Sequence, residues 1–238
     1  MCGRITQKSS LLSLGLHIVR PDRTVGSAPR FNGAPGQEHW VLRRNTKTAE
    51  YALDRLLWGL VPHWCEHADG GRRPINAKCE TVASLPTFRE AYRKRRCLIP
   101  VDSFFEWKAI PGVRPKRPYA IGKKSGEPFA LAGIWENWRR PGTEEWVRTF
   151  AIITCPANDL VRPIHTRMPV IIAPIQYDRW LSPLDPDPRD LLVPFPSEPM
   201  NAWPISTRVN KPENDDPKIL EQANSQADLG FAETTTKE

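Results

Sequence analysis

Long apolar runs are missing from this 238-residue chain. No stretch of about 18 apolar residues occurs, which excludes a membrane-spanning helix. The first residues lack a basic segment followed by an apolar one, so no secretory signal peptide is expected. Cysteine is sparse, five in all, and an odd, scattered set does not form a disulfide framework. A soluble intracellular protein is the expectation. Histidine is equally sparse at five, and His165 is the only one beyond His67. A lone histidine is usually a satisfied structural residue, yet it is also the natural proton carrier near neutral pH. Acidic charge is in deficit, 27 against 34 basic residues for a net +7. The imbalance is uneven: residues 211–238 hold three Lys and seven Asp or Glu, −4, which leaves +11 for the rest. A basic body favours a polyanionic partner, although a solvated face has the same composition.

What the chain does contain is a hydrophobic fraction of 39% with nine Trp, which is globular and not disordered. Its most informative stretch is Met1-Cys2-Gly3-Arg4. A small residue after the initiator Met permits removal of Met1, and the mature chain would then begin at Cys2. An α-amine and a thiol would sit on adjacent carbons, with ordinary pKa values of roughly 8 and 8.5. Such a 1,2-aminothiol attacks an acyl carbon through sulfur with the amine as base, or condenses with an aldehyde to an imine that the thiol closes to a thiazolidine. With Met1 retained, Cys2 is an ordinary small residue.

Along the chain, Ser9 and Ser10 precede Leu11, Leu12, Leu14, Leu16 and Ile18, which predicts a short helix. Residues 28–37, rich in Pro and Gly, predict a loop. Trp40–Leu42 and Tyr51–Leu53 predict strands. In Leu57-Trp58-Gly59-Leu60-Val61-Pro62-His63-Trp64 two Trp bracket a Gly and a Pro. Such aromatics stack on unpaired bases at roughly 1–3 kcal/mol each, or fill the core. His63, Cys65 and His67 match no common zinc spacing, so no metal is expected. From Arg72 to Arg96 there are eight Lys or Arg and two Glu, with a helix predicted from Pro86 through Arg96. Phe88 and Tyr92 share one face of it, and Arg89, Arg93, Lys94, Arg95 and Arg96 cover the others. That is a phosphate-contacting surface whose binding falls steeply with salt, or a solubilising face.

Cys97–Val101 reads as a buried strand that delivers Glu106 between Phe105 and Trp107. A carboxyl among aromatics is desolvated and suited to general acid work; alternation of side chains equally points it at water, and spacing does not choose. Pro111–Pro118 predicts a loop. Phe129–Trp135 and Trp146–Thr154 predict strands joined through Arg139-Arg140-Pro141-Gly142. A turn at Cys155–Asn158 leads through His165 to a strand at Val170–Ala173. Short helices are expected at Ile175–Leu181, Arg189–Val193 and Lys218–Ala223. One domain, residues 1–224, is expected, with 225–238 a disordered acidic tail.

These motifs together resemble the SOS-response-associated peptidase (SRAP) family, whose members process abasic DNA. Met1-Cys2-Gly3-Arg4 is similar to the family start, Asn32-Gly33-Ala34-Pro35 to its N-x-A-P loop and Trp58-Gly59-Leu60-Val61-Pro62 to W-G-L-I-P. Asn76-Ala77-Lys78-Cys79-Glu80-Thr81 resembles N-A-R-x-E-T, Phe105-Glu106-Trp107 the F/Y-E-W signature and His165-Thr166-Arg167-Met168-Pro169 H-x-R-M-P. The resemblance covers the chain to about Asn210. It implies an α+β fold of mixed, mostly antiparallel sheets forming a pseudo-barrel with peripheral helices. It implies a covalent thiazolidine between Cys2 and the aldehyde of a ring-opened abasic site in single-stranded DNA. Asn76 would orient the opened sugar, Glu106 would move protons, and His165 would assist imine chemistry and reversal. Arg4, Lys78 and Arg89 would hold phosphates, with Asn32, Pro35, Trp58, Trp64 and Arg167 also on the DNA side. No cofactor, a monomer, autocatalytic or assisted loss of Met1, and a bacterial cytoplasmic, nucleoid-associated location complete the expectation. Lys78 departs from the family's frequent Arg and exchanges a bidentate fork for a point charge.

Two rivals remain at this level. N-terminal-nucleophile amidotransferases also mature to a Cys-Gly start, and glutamate release from glutamine would mark one. A non-catalytic DNA-binding module would use the basic helix and the Trp loop, and Cys2→Ala would leave its DNA association unchanged.

Overall fold

The computed structural model describes residues 2–9, 28–45, 48, 50–67, 69, 71 and onward through 223. The helix expected at 11–18 and the tail 225–238 lie outside the described residues. In chain order the first strands are β1 (Ile5–Gln7), β2 (Arg30–Gly33), β3 (Glu38–Arg44), β4 (Tyr51–Trp58) and β5 (Asn76–Lys78). Helix α1 (Arg89–Lys94) precedes β6 (Arg96–Val101), β7 (Ser103–Ile110) and β8 (Val113–Lys123). Then come β9 (Phe129–Arg139), β10 (Trp146–Pro156), β11 (Arg167–Pro169) and β12 (Ile171–Ile172), helix α2 (Tyr177–Leu181) and β13 (Met200–Pro204). Single 3-10 turns at Pro174–Gln176, Arg189–Leu191, Thr207–Asn210 and Pro217–Leu220 complete the order.

The strands form two sheets. One runs β13-β8-β7-β1-β2, and every pairing in it is antiparallel. In the other, β4, β3, β6, β9 and β10 pair in a ring, because β10 meets β9 as well as β4. This five-stranded closed barrel is antiparallel except where β10 runs parallel to β4 and β5. The fold is therefore α+β and sheet-dominated, with a pseudo-barrel and short peripheral helices, as the motifs implied. A ring this small leaves little interior volume. Gly133 on β9 shows it: a Cβ there would lie 2.3 Å from Ile99 Cδ1 and 3.1 Å from the Ala151 carbonyl oxygen. Gln7 ties the two sheets, its amide donating to the carbonyls of Trp40 (2.9 Å) and Pro100 (2.7 Å).

Several segments differ from expectation. The Pro- and Gly-rich stretch 28–37 contains β2, whose Gly33 pairs with Ile5. The expected loop Pro111–Pro118 lies mostly within β8; Pro115 falls beyond the reach of β13, whose pairing starts at Tyr119, so no ladder donor is missed there. The helix expected from Pro86 shrinks to Arg89–Lys94. Arg95 and Arg96 leave its surface: Arg95 turns to Glu136 at 2.7 Å, and Arg96 is 5% exposed. The cations that stay exposed on this helix are thus Arg89, Arg93 and Lys94.

Candidate active site and nucleic-acid groove

β1 lies between β2 and β7, so the residues just before it are drawn into the seam of the molecule. Cys2 is fully buried in the main core cluster with Ile5 and Phe104. Its carbonyl accepts from Asn76 Nδ2 at 2.8 Å. Asn76 opens β5, which pairs in parallel with β10, so the barrel carries one half of the site and the other sheet carries Cys2. Asn76 Oδ1 is buried with no hydrogen-bond partner among the described residues. The Cys2 thiol faces the Arg4 carbonyl at 3.9 Å. Burial, and then the charge of Glu106, push that thiol far above its ordinary pKa, so it is neutral at pH 7.

Glu106 is 2% exposed. Strand β7 is buried on both faces: Phe104 packs in the cluster that holds Cys2, whereas Phe105 and Trp107 pack with Ile205, Val209 and Ile219 on the opposite face. Alternation therefore turns Glu106 toward Cys2 and not toward water. Burial holds its carboxyl above the usual range, against the opposing positive charges of the chain's N-terminus and His165. The His165 ring is pinned through Nδ1, which accepts from the Arg167 N–H at 3.0 Å and lies 3.1 Å from the Arg167 carbonyl.

Arg167 is committed within the protein. Its two terminal nitrogens donate to Glu80 Oε1 (2.8 Å) and Oε2 (2.9 Å), and it also reaches the Thr154 carbonyl at 2.7 Å. The fork draws the Glu80 carboxyl down to about 2. Glu80 was given no role by the motif alone; the signal was present as an acid in one motif and an arginine in another. Arg4 is similarly engaged, donating to Asn32 Oδ1 (2.8 Å) and to the Val209 carbonyl (2.6 Å). The Asn32 amide grips the carbonyls of Val209, Lys211 and Asn214. Both residues therefore latch the segment Val209–Asn214, and Asn32 is fully buried.

Beside Asn76 lies a groove of about 640 Å³, whose walls include Trp64, Arg72, Lys78, Thr81 and Phe88. Trp64 is 56% exposed and Trp58 1%. The two Trp thus divide between the roles open to them. Trp58 stacks on Phe150 (5.9 Å) and donates to the Ile75 carbonyl, so it offers no face to a base. Lys78 and Arg89 are exposed, and Pro35 is exposed at the turn after β2.

The SOS response associated peptidase (SRAP) family profile matches residues 1–212. The chain is 38% identical over 227 residues to the abasic site processing protein YoqW of Bacillus subtilis (strain 168), covering 93% of this chain and 99% of that protein. It is 30% identical over 187 residues to the abasic site processing protein YedK of Escherichia coli (strain K12), covering 76% and 79%. Its fold is similar to that of a solved protein from Bacteroides thetaiotaomicron, with a TM-score of 0.82 at 26% identity over 94% of this chain and all of that one. The matched profile, the relatives and the shared fold agree: this chain belongs to the SRAP family.

Proposed function

We infer that the protein processes abasic sites in single-stranded DNA by bonding the lesion to its own N-terminus. The observation that carries the reading is the 2.8 Å bond from Asn76 to the Cys2 carbonyl, which sets the chain's one possible aminothiol at the edge of a basic groove. Loss of Met1 frees the Cys2 amine. The amine nitrogen adds to the C1′ aldehyde of the opened sugar, and the carbinolamine loses water to give an imine. The Cys2 sulfur then bonds the same carbon while its proton passes to nitrogen, closing a thiazolidine; one water is released in all. A thiol held neutral by burial requires a base at closure, and a carboxyl with a raised pKa serves as acid in ring opening and as base afterwards. Glu106 fits that double role. His165 shuttles protons during imine formation and reversal. Lys78, Arg72 and Arg89 attract phosphates, and exposed Trp64 stacks on a flanking base, which requires an unpaired strand. An abasic nucleotide has no pairing to lose, so its entry costs little.

Incubating the protein with an abasic single-stranded oligonucleotide and running a denaturing gel tests this. Wild type is expected to shift the DNA and Cys2→Ala to leave it free; a wild-type protein that runs free ends the proposal. Mass spectrometry of the active protein is expected to show Met1 absent. Removal of Met1 is the one peptidase step that this reading requires.

A further inference from the structure

The most deeply buried Lys or Arg among the described residues is Arg96, 5% exposed at the start of β6. Its guanidinium donates to the carbonyls of Trp180 (2.6 Å), Tyr92 (2.9 Å), Asp185 (2.6 Å) and Ser182. It also lies 5.9 and 5.5 Å from the ring centroids of Tyr92 and Trp180. Every one of these partners is neutral. Among the described residues no carboxylate stands within ion-pair distance of it. The nearby acids are already answered, Asp185 by Arg179 at 2.9 Å and Asp187 by Arg189 at 2.5 Å. A buried cation held only by dipoles keeps its field, and that field favours an anion nearby.

Directly over Arg96 is a pocket of about 210 Å³ whose other charged walls are Arg44, Arg93 and Lys94. Lys94 pairs with Glu90 at 2.7 Å on the exposed side of α1; among the described residues no acid lines the pocket itself. The pocket has the charge and size for one tetrahedral oxyanion, with exposed Arg93 at the rim and a fixed cation below. Its position gives the partner. Phe88, at the start of α1, walls the catalytic groove, and Arg93 and Lys94, at the other end, wall this pocket. Six residues of helix span about 9 Å, with exposed Arg89 between.

We propose that this pocket is a second phosphate site, which takes a backbone phosphate of the same strand after it leaves the groove over α1. The partner rests on the DNA reading above, but not on the chemistry at Cys2. Non-covalent binding of lesion-free single strands, measured against salt, separates the two. Each phosphate contact contributes roughly 0.7 to the slope of log K against log salt for a single strand. For the double variant Arg44→Gln/Arg93→Gln the slope is expected to fall by roughly 0.7, one phosphate, on a long oligonucleotide. It is expected to stay unchanged on one short enough to fill only the groove. Arg93→Lys, which keeps the charge, is expected to retain the wild-type slope, and equal melting temperatures exclude a folding defect. Inorganic phosphate titrated by calorimetry distinguishes the source. Phosphate binding lost in the double variant with unchanged DNA slopes overturns the strand assignment in favour of a small anion. Unchanged slopes without phosphate binding overturn the site altogether, as does an equal fall on both oligonucleotides. A wild type that shows the slopes yet forms no adduct with abasic DNA sinks the function and leaves this site standing.

Discussion

Acid is expected to destabilise this protein through one buried imidazole, His39, well before its carboxylates protonate. The ring is 1% exposed on β3 beneath the Asn32–Pro35 turn. Its Nε2 donates to the Ala34 carbonyl at 3.1 Å, while Nδ1 is buried with no partner. A second proton would therefore have to sit on Nδ1 facing no acceptor, edge-on to Trp58 and Phe150. Burial accordingly drives the His39 pKa down to about 4, against roughly 6.5 in the unfolded chain. Between those values the unfolded state binds a proton that the folded state refuses. The contribution is complete above the unfolded pKa and is lost as pH falls toward the folded one. Linkage gives a loss of about 2 kcal/mol at pH 5 and about 3 kcal/mol at pH 4. Glu106 acts in the opposite sense: its raised folded-state pKa adds stability as pH falls through it. The assay is urea unfolding of wild type and His39→Gln from pH 7 to pH 4.5, so that the difference between them cancels Glu106. His39→Gln is expected to be less stable at pH 7 but nearly flat in this window relative to wild type. Parallel profiles for the two proteins would refute the assignment.

Three further outcomes are expected. Trp64→Ala weakens single-strand binding by about 1–3 kcal/mol with little change in melting, whereas Trp58→Ala costs about 3–5 kcal/mol of stability; fluorescence anisotropy and thermal unfolding separate the two. Glu80→Gln breaks the fork that holds Arg167 and frees the His165 loop, so the adduct forms on the order of tenfold more slowly. Glu80→Asp is expected to recover part of that rate in a timed gel, and an unchanged rate for Glu80→Gln would deny Glu80 a positioning role. Gly133→Ala forces a methyl against Ile99 and the Ala151 carbonyl and is expected to lower stability by about 1–3 kcal/mol, read from the denaturant midpoint.

The barrel strands were legible because their apolar runs are long and bounded by turn residues, as in Cys97–Val101 and Phe129–Trp135. β2, the Pro-containing part of β8 and β13 were not, since each is held by its neighbours' ladders and not by a pattern of its own. α1 came out short for a related reason: a count of cations cannot tell that Arg96 is drawn inward by four carbonyls, three of them from the distant residues Trp180, Ser182 and Asp185. In the site, Cys2, Asn76, Glu106 and His165 were named from motifs, but which way Glu106 points depended on β7 being buried on both sides. The commitment of Arg4, Asn32 and Arg167 to partners within the protein was equally out of reach. A guanidinium that grips phosphate and one that grips a carboxylate are the same letter in sequence.

The placement of β1 has a mechanical side. Two residues, Gly3 and Arg4, connect Cys2 to a strand bonded along both edges, to β2 on one side and β7 on the other. Tension applied at that terminus does not peel a loose end from a margin; it must shear two ladders at once, with the side-chain amide of Gln7 as an added cleat into the barrel. A cargo attached there hangs from an inner strand and not from a sheet margin, so a pull on it loads two ladders together.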